Sequence, residues 1–436
     1  MSDPLRPFGV SGEDLLVGGI AARELAERFG TPLYVYDAGV VVDRYSGLRR
    51  ALPEGADIYY AMKANPSLAV CALLAKLGAG AEAASRGELS LASAAGFSAP
   101  SIVMAGPSKT AEDHRQALRM GIRCVHIESE SELVRFHALA TEMGLTDRDP
   151  PVRFGLRINT IAAVEEERSI IGGAGPRKFG VDEEDVGSFL DRLRSCRGLK
   201  LAGVHVFNAS NVRDAGRLIE NAARIFDLAA SISEELEEPL DYVDVGGGLG
   251  IPYAAGEEPL DVEALGRGLT RLLDSARSGP LTGARLVLEP GRYLVGESGV
   301  YLSRVLEVKT SRGKSFALVD GGIHHLLRPV LLQAPHPIVL ANRVGRMPEE
   351  VYDVAGPLCT GLDVLGKGIA LPEVSPGDVL AVLCAGAYGY SESMLEFLSH
   401  PSPAEVIVRD GEAGVARPRG EPEEGIARQS IPAFVR

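Results

Sequence analysis

Eight short runs of β-forming residues alternate with helical patterns across most of the first 290 residues. The runs lie near 58–62, 79–83, 101–104, 124–128, 152–158, 199–206, 241–246 and 285–289. Alternation of this kind is typical of α/β domains with a parallel sheet, and eight units in about 250 residues fit a (β/α)₈ barrel. An open, doubly wound sheet remains the alternative, because both folds bury parallel strands.

After residue 292 the pattern changes to β-prone segments separated by Gly/Pro turns. These segments lie at 300–308, 316–319, 351–355, 379–384 and 404–408, and they predict a separate all-β domain. We therefore expect a barrel over 31–291, a β-domain over 292–436 and an N-terminal segment, 1–30, that packs with the β-domain. The charged and then glycine-rich stretch 162–176 predicts a mobile loop over the barrel mouth.

Charge and cysteine usage exclude several classes of function. A net charge of -14 without a dense basic tract argues against nucleic-acid and anionic-membrane partners. No apolar run is long enough to span a bilayer, and residues 1–10 lack the layout of a secretion signal. The five cysteines are scattered and odd in number, which argues against a disulfide framework or a zinc site. We expect a cytoplasmic protein without a metal.

Chemically capable residues follow the ends of the predicted strands. In a barrel these ends meet on one face, where active sites form. A lysine there can form a Schiff base with an aldehyde, and a glycine loop lets backbone amides approach a phosphate. A histidine can lie on a ring face, and a glutamate can pair with a pyridine nitrogen. Together they indicate pyridoxal 5′-phosphate, and the residues concerned are Lys63, Arg157, His205, Gly246 to Gly248, Glu289 and Arg292.

An ordered set of motifs makes the indication specific. The set is Tyr60-Ala-Met-Lys63-Ala-Asn, Lys178-Phe-Gly180, His205-Val, Asp244-Val-Gly-Gly-Gly, Glu289-Pro-Gly-Arg292, Val319-Asp-Gly-Gly, Gly356-Pro-Leu-Cys359-Thr-Gly-Leu-Asp363 and Gly386-Ala-Tyr388-Gly. In these motifs and their order the chain resembles the fold-type III pyridoxal-phosphate-dependent decarboxylases, the group of diaminopimelate, ornithine and arginine decarboxylases. The resemblance covers residues 60 to 400.

The resemblance implies a role for each matching residue. Lys63 is the expected Schiff-base lysine, His205 stacks on the cofactor ring and Glu289 pairs with the pyridine nitrogen. Cys359 is expected to reprotonate Cα across the interface of a homodimer, with Asp363 beside it. The remaining cofactor-binding positions are Arg157, Ser210, Gly247, Gly248, Gly291, Arg292 and Tyr388, and Arg292 and Arg328 match positions that contact substrate carboxylates.

The chain departs from that pattern where the substrate is recognised. Thr360 stands where the diaminopimelate and ornithine enzymes have an acidic residue for the distal amine, and an unpaired buried ammonium costs several kcal/mol. Residues 207–209 are interposed after His205, Leu331-Leu332 lacks the usual tyrosine, and residues 388–400 differ from the Asn-rich tail. We expect lysine, ornithine and diaminopimelate to be poor substrates.

These departures resemble a subgroup from secondary metabolism, whose members act on carrier-linked glutamyl groups or siderophore intermediates. A carrier protein is normally acidic, so its docking would need basic residues gathered on one surface. The alternative interpretation is that the basic residues are scattered over the surface as solvated charges. The candidates are Arg292, Arg304, Lys309, Arg312, Lys314 and Arg328.

Three other functions stay open at this point. A diaminopimelate decarboxylase shares the ordered motif set, and the departures at Thr360, residues 207–209, Leu331-Leu332 and residues 388–400 argue against it. A racemase of the same fold type has an arginine at the pyridine nitrogen and a tyrosine as second acid, so Glu289 and Cys359 favour decarboxylation. An inactive regulatory homologue is expected to have lost the lysine or the cysteine, and both are present.

Overall fold

The computed structural model describes residues 5–160, 177–208 and 210–435. The predicted loop 162–176 and Ala209 lie outside these ranges. The chain divides into two compact units, of which one contains Val42–Ile251 and Pro259–Leu294. The other contains Met1–Val41, Pro252–Glu258 and Val295–Arg436. None of the helices within the described ranges is long and apolar enough to cross a membrane.

Eight parallel strands close the first unit into a barrel, as the sequence predicted. In order around the barrel they are Ala56–Ala61, Gly80–Ala83, Ile102–Met104, Cys124–Ile127, Val152–Asn159, Leu199–His205, Tyr242–Asp244 and Arg285–Leu288. The last strand pairs with the first, with Leu288 opposite Ile58, so no strand edge is left open. A short additional strand, Val181–Asp182, pairs with the end of the fifth barrel strand.

Helices alternate with these strands, and polar caps fix where several of them begin. The helices are Ala38–Ala51, Leu68–Lys76, Arg86–Ala95, Ala111–Met120, Glu130–Glu142, Val186–Arg194, Ala215–Leu236, Val262–Arg277 and Arg292–Val295. Ser85 and Ser129 each accept the backbone N–H three residues ahead. Glu88 and Glu132, the residues that donate those N–H groups, use their own carboxylates to accept the N–H of the residue before each serine.

The barrel interior is polar directly beneath its carboxyl-terminal end. The Tyr242 hydroxyl lies 3.0 Å from Cys124 Sγ and 3.0 Å from His126 Nε2. All three side chains are buried. A Cβ atom at Gly155 would overlap both Tyr242 and His126, so this glycine leaves the room that the two rings occupy.

The second unit is built mainly from β-strands, so the β-domain that the sequence predicted is present. Its strands are Gly9–Ser11, Asp14–Val17, Ile20–Ala21, Leu33–Asp37, Gly299–Ser311, Lys314–Val319, Ile338–Leu340, Glu350–Ala355, Val364–Leu371, Val379–Val382, Ala404–Arg409 and Glu412–Arg417. Its helices are Ala22–Phe29, Arg328–Leu331 and Glu424–Ala427. The first three strands form a small antiparallel sheet, and the others form the larger one.

Strand Leu33–Asp37 belongs to this β-unit and not to the barrel, where the sequence interpretation had placed residues 31–41. It pairs antiparallel with Gly299–Leu302 and parallel with Ala404–Val408. All five of its residues are buried, because the strand lies in the middle of the sheet. Its partners are hundreds of residues distant in the chain, so a local pattern could not identify them.

Candidate active site

Lys63 lies just beyond the first barrel strand, in the 3₁₀ turn Met62–Ala64. The strand itself ends at Ala61, one residue earlier than the predicted run 58–62. The Tyr60 hydroxyl donates to the Asn65 carbonyl at 2.8 Å, and Asn65 Oδ1 accepts from the Ser67 backbone at 3.0 Å. These bonds fix the turn, so Lys63 projects from a rigid position with its side chain 30% exposed.

Glu82 is the ion-pair partner of Lys63, and the sequence interpretation missed it. Its carboxylate contacts Lys63 Nζ directly and is only 3% exposed. The available signal was a single charged residue in Gly80–Ala83, a strand otherwise made of glycine and alanine.

His205 is the last residue of the sixth barrel strand, and Glu289 directly follows the eighth. Both side chains are buried. His205 Nε2 lies 3.1 Å from Glu289 Oε2, although the contact lacks hydrogen-bond geometry. Burial, followed by the charge of Arg157, lowers the pKa of His205 to about 3. The imidazole is therefore neutral at physiological pH. A neutral ring is suited to stacking on the face of a ligand ring.

His126 and Asp244 complete the buried group around this pair. The His126 ring stacks on His205 with centroids 4.6 Å apart, and one polar atom from each of His126, His205, Asp244 and Glu289 lies within 4.8 Å of the others. From the sequence, Asp244 was recognised only as part of the motif Asp244-Val-Gly-Gly-Gly, with no role of its own, and His126 was not predicted as a site residue. Alternation along the strand Cys124–Ile127 was the signal available for the histidine.

Several buried polar atoms in this group have no hydrogen-bond partner among the described residues. They are His126 Nδ1, both ring nitrogens of His205, Asp244 Oδ2 and Glu289 Oε1. Buried polar groups are normally satisfied, so this concentration indicates a ligand with polar atoms. A pyridine nitrogen beside Glu289 and a ring face on His205 fit the group that the sequence implied.

Glycines beside Glu289 let the chain segments that follow the seventh and eighth strands pack closely. Gly246 and Gly248 adopt positive φ values of 69° and 87°, which favour glycine. A Cβ at Gly247 would overlap the Glu289 carbonyl, and one at Gly291 would lie 2.9 Å from Ala64 Cβ. The predicted phosphate residues Ser210 and Arg292 are both half-buried.

Arg157 is held beside this site by a buried ionic network. Its guanidinium donates to Glu128 at 3.0 Å and lies 4.7 Å from the centre of the Phe179 ring. Glu128 also accepts the Gly106 and Gly180 backbone N–H groups. The motif Lys178-Phe-Gly180 thus supports Arg157 through both its ring and its glycine amide.

The Cys359 motif lies in the β-unit on an exposed loop. Cys359 is solvent exposed, whereas Asp363 is only 3% exposed. The Asp363 carboxylate accepts the backbone N–H groups of Ile323 and Leu358, each at 2.8 Å. Thr360 Oγ1 accepts the Leu362 N–H at 3.3 Å. The structure therefore places Asp363 inside the loop that presents Cys359.

Arg328, predicted to contact a substrate carboxylate, is buried in the β-unit and 4% exposed. Its guanidinium carbon lies 3.8 Å from the centre of the Tyr253 ring, and Nη1 donates to His336 Nε2 at 2.9 Å. His336 Nδ1 donates to the Leu383 carbonyl, which fixes the neutral tautomer. Tyr388 is half-buried with a φ of 55°.

The six basic residues considered for carrier docking do not form one exposed patch. Arg328 is buried, and Lys314 forms an ion pair with Asp353 at 2.6 Å. Arg304 Nη1 donates to the Gly377 carbonyl at 2.9 Å. Lys309 and Arg312 lie near the turn between Gly299–Ser311 and Lys314–Val319.

Several known proteins are similar to this chain. Residues 38–296 match the family model for the pyridoxal-dependent decarboxylase pyridoxal-binding domain. The chain is 34% identical to the L-glutamyl-[BtrI acyl-carrier protein] decarboxylase of Niallia circulans, over 93% of this chain and 95% of that protein. It is 36% identical to the diaminopimelate decarboxylase of Methanothermobacter thermautotrophicus, over 96% of each. The M. jannaschii diaminopimelate decarboxylase structure with L-lysine has a TM-score of 0.89 at 29% identity, covering 98% of each chain.

Proposed function

The chain belongs to the pyridoxal-dependent decarboxylase family, and we propose that its substrate is an amino acid without a free distal amine. A glutamyl group linked to a carrier protein is the leading candidate, by analogy with the relative from Niallia circulans. The family makes the protein an amino-acid decarboxylase that uses pyridoxal 5′-phosphate.

The main support for this substrate class is that the Cys359 loop offers no available carboxylate for a substrate ammonium. Asp363 is the only carboxylate in residues 356–363. One of its oxygens accepts the Leu358 N–H within the loop, and the other accepts the Ile323 N–H from a neighbouring segment. Thr360 offers a hydroxyl without a charge. A substrate ammonium at this loop would have no carboxylate to pair with, and burying it would cost several kcal/mol.

The barrel residues have separate tasks in the proposed mechanism. Pyridoxal phosphate, when bound, supplies a pyridinium that withdraws electrons from the bond to the departing carboxylate. Lys63 would provide the amine for the cofactor aldehyde, and Glu82 contacts that lysine directly. The neutral His205 ring would cover one face of the cofactor ring, and Glu289 would pair with the pyridine nitrogen. The backbone of Gly246 to Gly248 would hold the phosphate, with Ser210, Gly291, Arg292 and Tyr388.

Cys359 completes the reaction as a proton donor. When carbon dioxide leaves, the bonding electrons remain at Cα, and the Cys359 thiol gives its proton to that carbon. The products are carbon dioxide and an amine. We propose that Cys359 comes from a second copy of the chain, in a homodimer with shared active sites, because the loop is exposed on the single chain.

Diaminopimelate decarboxylation is the second candidate function. The identity of 36% with the Methanothermobacter enzyme and the TM-score of 0.89 with the M. jannaschii enzyme favour it. This candidate requires that a group other than residue 360 pairs with the distal amine. The two candidates therefore differ in one measurable property, the activity toward substrates that carry that amine.

Release of carbon dioxide from a substrate panel tests the proposal. Purified protein with pyridoxal phosphate is incubated with carrier-linked glutamate, free glutamate, lysine, ornithine and diaminopimelate, beside a Lys63→Ala control. We expect release only from substrates without a distal amine, and none from the control. Strong release from diaminopimelate would overturn the proposed substrate class and leave the decarboxylase chemistry intact.

A further inference from the structure

Asp244 is a fully buried carboxyl group for which the proposed mechanism has no use. It ends the strand Tyr242–Asp244 and is 0% exposed. The Gly246 N–H donates to its Oδ1 at 2.9 Å. Its Oδ2 has no hydrogen-bond donor among the described residues, and the same is true of Glu289 Oε1.

The surrounding histidines do not compensate two negative charges. Burial lowers the pKa of His205 to about 3 and that of His126 well below its usual value, so both rings are neutral. Two ionised carboxylates would then lie side by side within this group of four side chains. Like charges in a dry site strongly disfavour double ionisation, and one proton is expected to remain on the pair.

The environment indicates which carboxyl group retains the proton. Asp244 is the more deeply buried, and burial followed by the charge of Glu289 raises its pKa well above the usual value. Glu289 has the His205 ring 3.1 Å from Oε2, and in the proposed function it also faces a pyridinium. A proton on Asp244 Oδ2 could be donated to Glu289 Oε1 as a hydrogen bond. Both of the oxygens without a partner would then have one.

We propose that Asp244 is the proton-holding residue of the site, a neutral carboxylic acid that donates a hydrogen bond to Glu289. Glu289 is then the single anion available to the pyridine nitrogen, and Asp244 fixes its orientation. Asp244 is thus a positioning residue that acts through Glu289. The inference rests on the proposed placement of the pyridine nitrogen, but the protonation itself is a property of the cofactor-free chain.

Within the described part of the chain, the other titratable groups around Asp244 do not offer it a contacting cation. Burial raises the pKa of Tyr242 and that of Cys124, the latter to about 12, so both stay neutral. Glu82 adds negative charge that further raises the pKa of Asp244. The positive charges that reach the two histidines belong to Lys63, Lys109 and Arg157, whose ion-pair partners are Glu82, Glu128 and Glu132.

Infrared spectroscopy of the cofactor-free protein tests the protonation directly. At pH 8 the wild-type spectrum should contain the C=O stretching band of a protonated carboxylic acid, and Asp244→Asn should lack it. Asp363→Asn is the matched control, because it removes another buried carboxyl group whose pKa burial raises, and the Asp244 band should survive. Absence of the band from wild type, or its loss in Glu289→Gln with retention in Asp244→Asn, would overturn the proposal.

Cofactor binding provides the second readout. Asp244→Ala leaves Glu289 without its donor, and we expect the Kd for pyridoxal phosphate to rise about ten-fold, the scale of one unsatisfied buried partner. Asp244→Asn keeps an N–H donor without a charge and should recover most of that affinity. If Asp244→Asn instead weakened binding as much as Glu289→Gln, Asp244 would be an anion and the proposal would be wrong. Failure of every tested substrate would leave both measurements unaffected.

Discussion

The cofactor side of the proposed site and its Cys359 loop are built in opposite ways. In the barrel, Lys63 is paired with Glu82, and His205 and Glu289 are enclosed by the strands that carry them. In the β-unit, Cys359 is exposed and its neighbour Leu362 is 64% exposed. These barrel residues are held together within one chain, whereas Cys359 faces solvent on the single chain.

Desolvation explains this difference. Buried charges are tolerated only where partners are already in place, so the ionised groups of the cofactor side must be assembled by a single fold. A thiol and a hydroxyl carry no charge and can remain on a surface until a second molecule covers them. Specificity can then change through Thr360 without disturbing the barrel.

Mixing two inactive variants is the strongest test of this comparison. Lys63→Ala removes the amine that would hold the cofactor, and Cys359→Ala removes the thiol that would donate the proton to Cα. We expect each variant to lose about 10³-fold or more in activity. If the two sides of each site come from different chains, co-refolded mixtures should regain about a quarter of wild-type activity, because half of the random dimers carry one intact site.

Separate purification of each variant is the control, and cofactor absorbance confirms that Cys359→Ala still binds pyridoxal phosphate. A mixture as inactive as its components would show that Lys63 and Cys359 must lie on the same chain. The exposed loop would then be covered by some element other than a second copy.

Acid stability tests whether the barrel side depends on a neutral histidine. The pKa of His205 is about 3 in the folded protein and about 6.5 in an unfolded chain. The unfolded state therefore binds more protons between these values, so stability is fully present above pH 6.5 and is lost as the pH falls toward 3. The loss attributable to His205 reaches about 4–5 kcal/mol.

His205→Gln removes this proton uptake, and its thermal midpoint should fall less steeply than that of wild type between pH 6.5 and pH 4. His325→Gln is the matched variant in the β-unit, where burial lowers the pKa to about 2. Parallel pH curves for wild type and His205→Gln would show that His205 is not held neutral by burial.

The barrel side was the more predictable of the two from sequence. Strand periodicity located all eight barrel strands, and the rule that active residues follow strand ends selected Lys63, His205 and Glu289. Glu82 escaped because one charged residue in a four-residue strand does not reveal which way it points. His126 escaped because a lone histidine in a strand is usually structural.

The Cys359 loop shows what a linear motif leaves out. Asp363 was expected beside Cys359, and its carboxylate accepts backbone N–H groups that hold the loop. That position depends on Gly322 and Gly356, at each of which a Cβ would overlap the carboxylate oxygens. Contacts between segments so distant in the chain follow from the completed fold, and no local pattern contains them.

Removal of the Asp363 carboxylate tests how strongly the loop positions Cys359. Asp363→Asn replaces one acceptor oxygen by an N–H₂ group facing a backbone N–H, at a cost of about 1–3 kcal/mol. We expect kcat to fall about 10- to 100-fold while the Kd for pyridoxal phosphate stays unchanged. A matching loss of cofactor affinity would mean that the loop and the barrel side are not independent.

Substrate preference should respond least, and most specifically, to residue 360. Thr360→Glu adds a carboxylate beside Cys359, and a charged hydrogen bond contributes about 1.5–3 kcal/mol. We expect kcat/KM for ornithine or diaminopimelate to rise about ten-fold and that for a substrate without a distal amine to fall. Thr360→Gln, which has the same length and no charge, is the matched control.

The ratio of the two kcat/KM values, measured with both substrates on one preparation, is the informative quantity. A general defect lowers both values together, whereas a new charge partner changes them in opposite directions. If Thr360→Glu and Thr360→Gln gave the same ratio, charge at this position would not select the substrate. The specificity would then have to come from buried groups such as Arg328, and the division between a fixed cofactor side and an adaptable loop would fail.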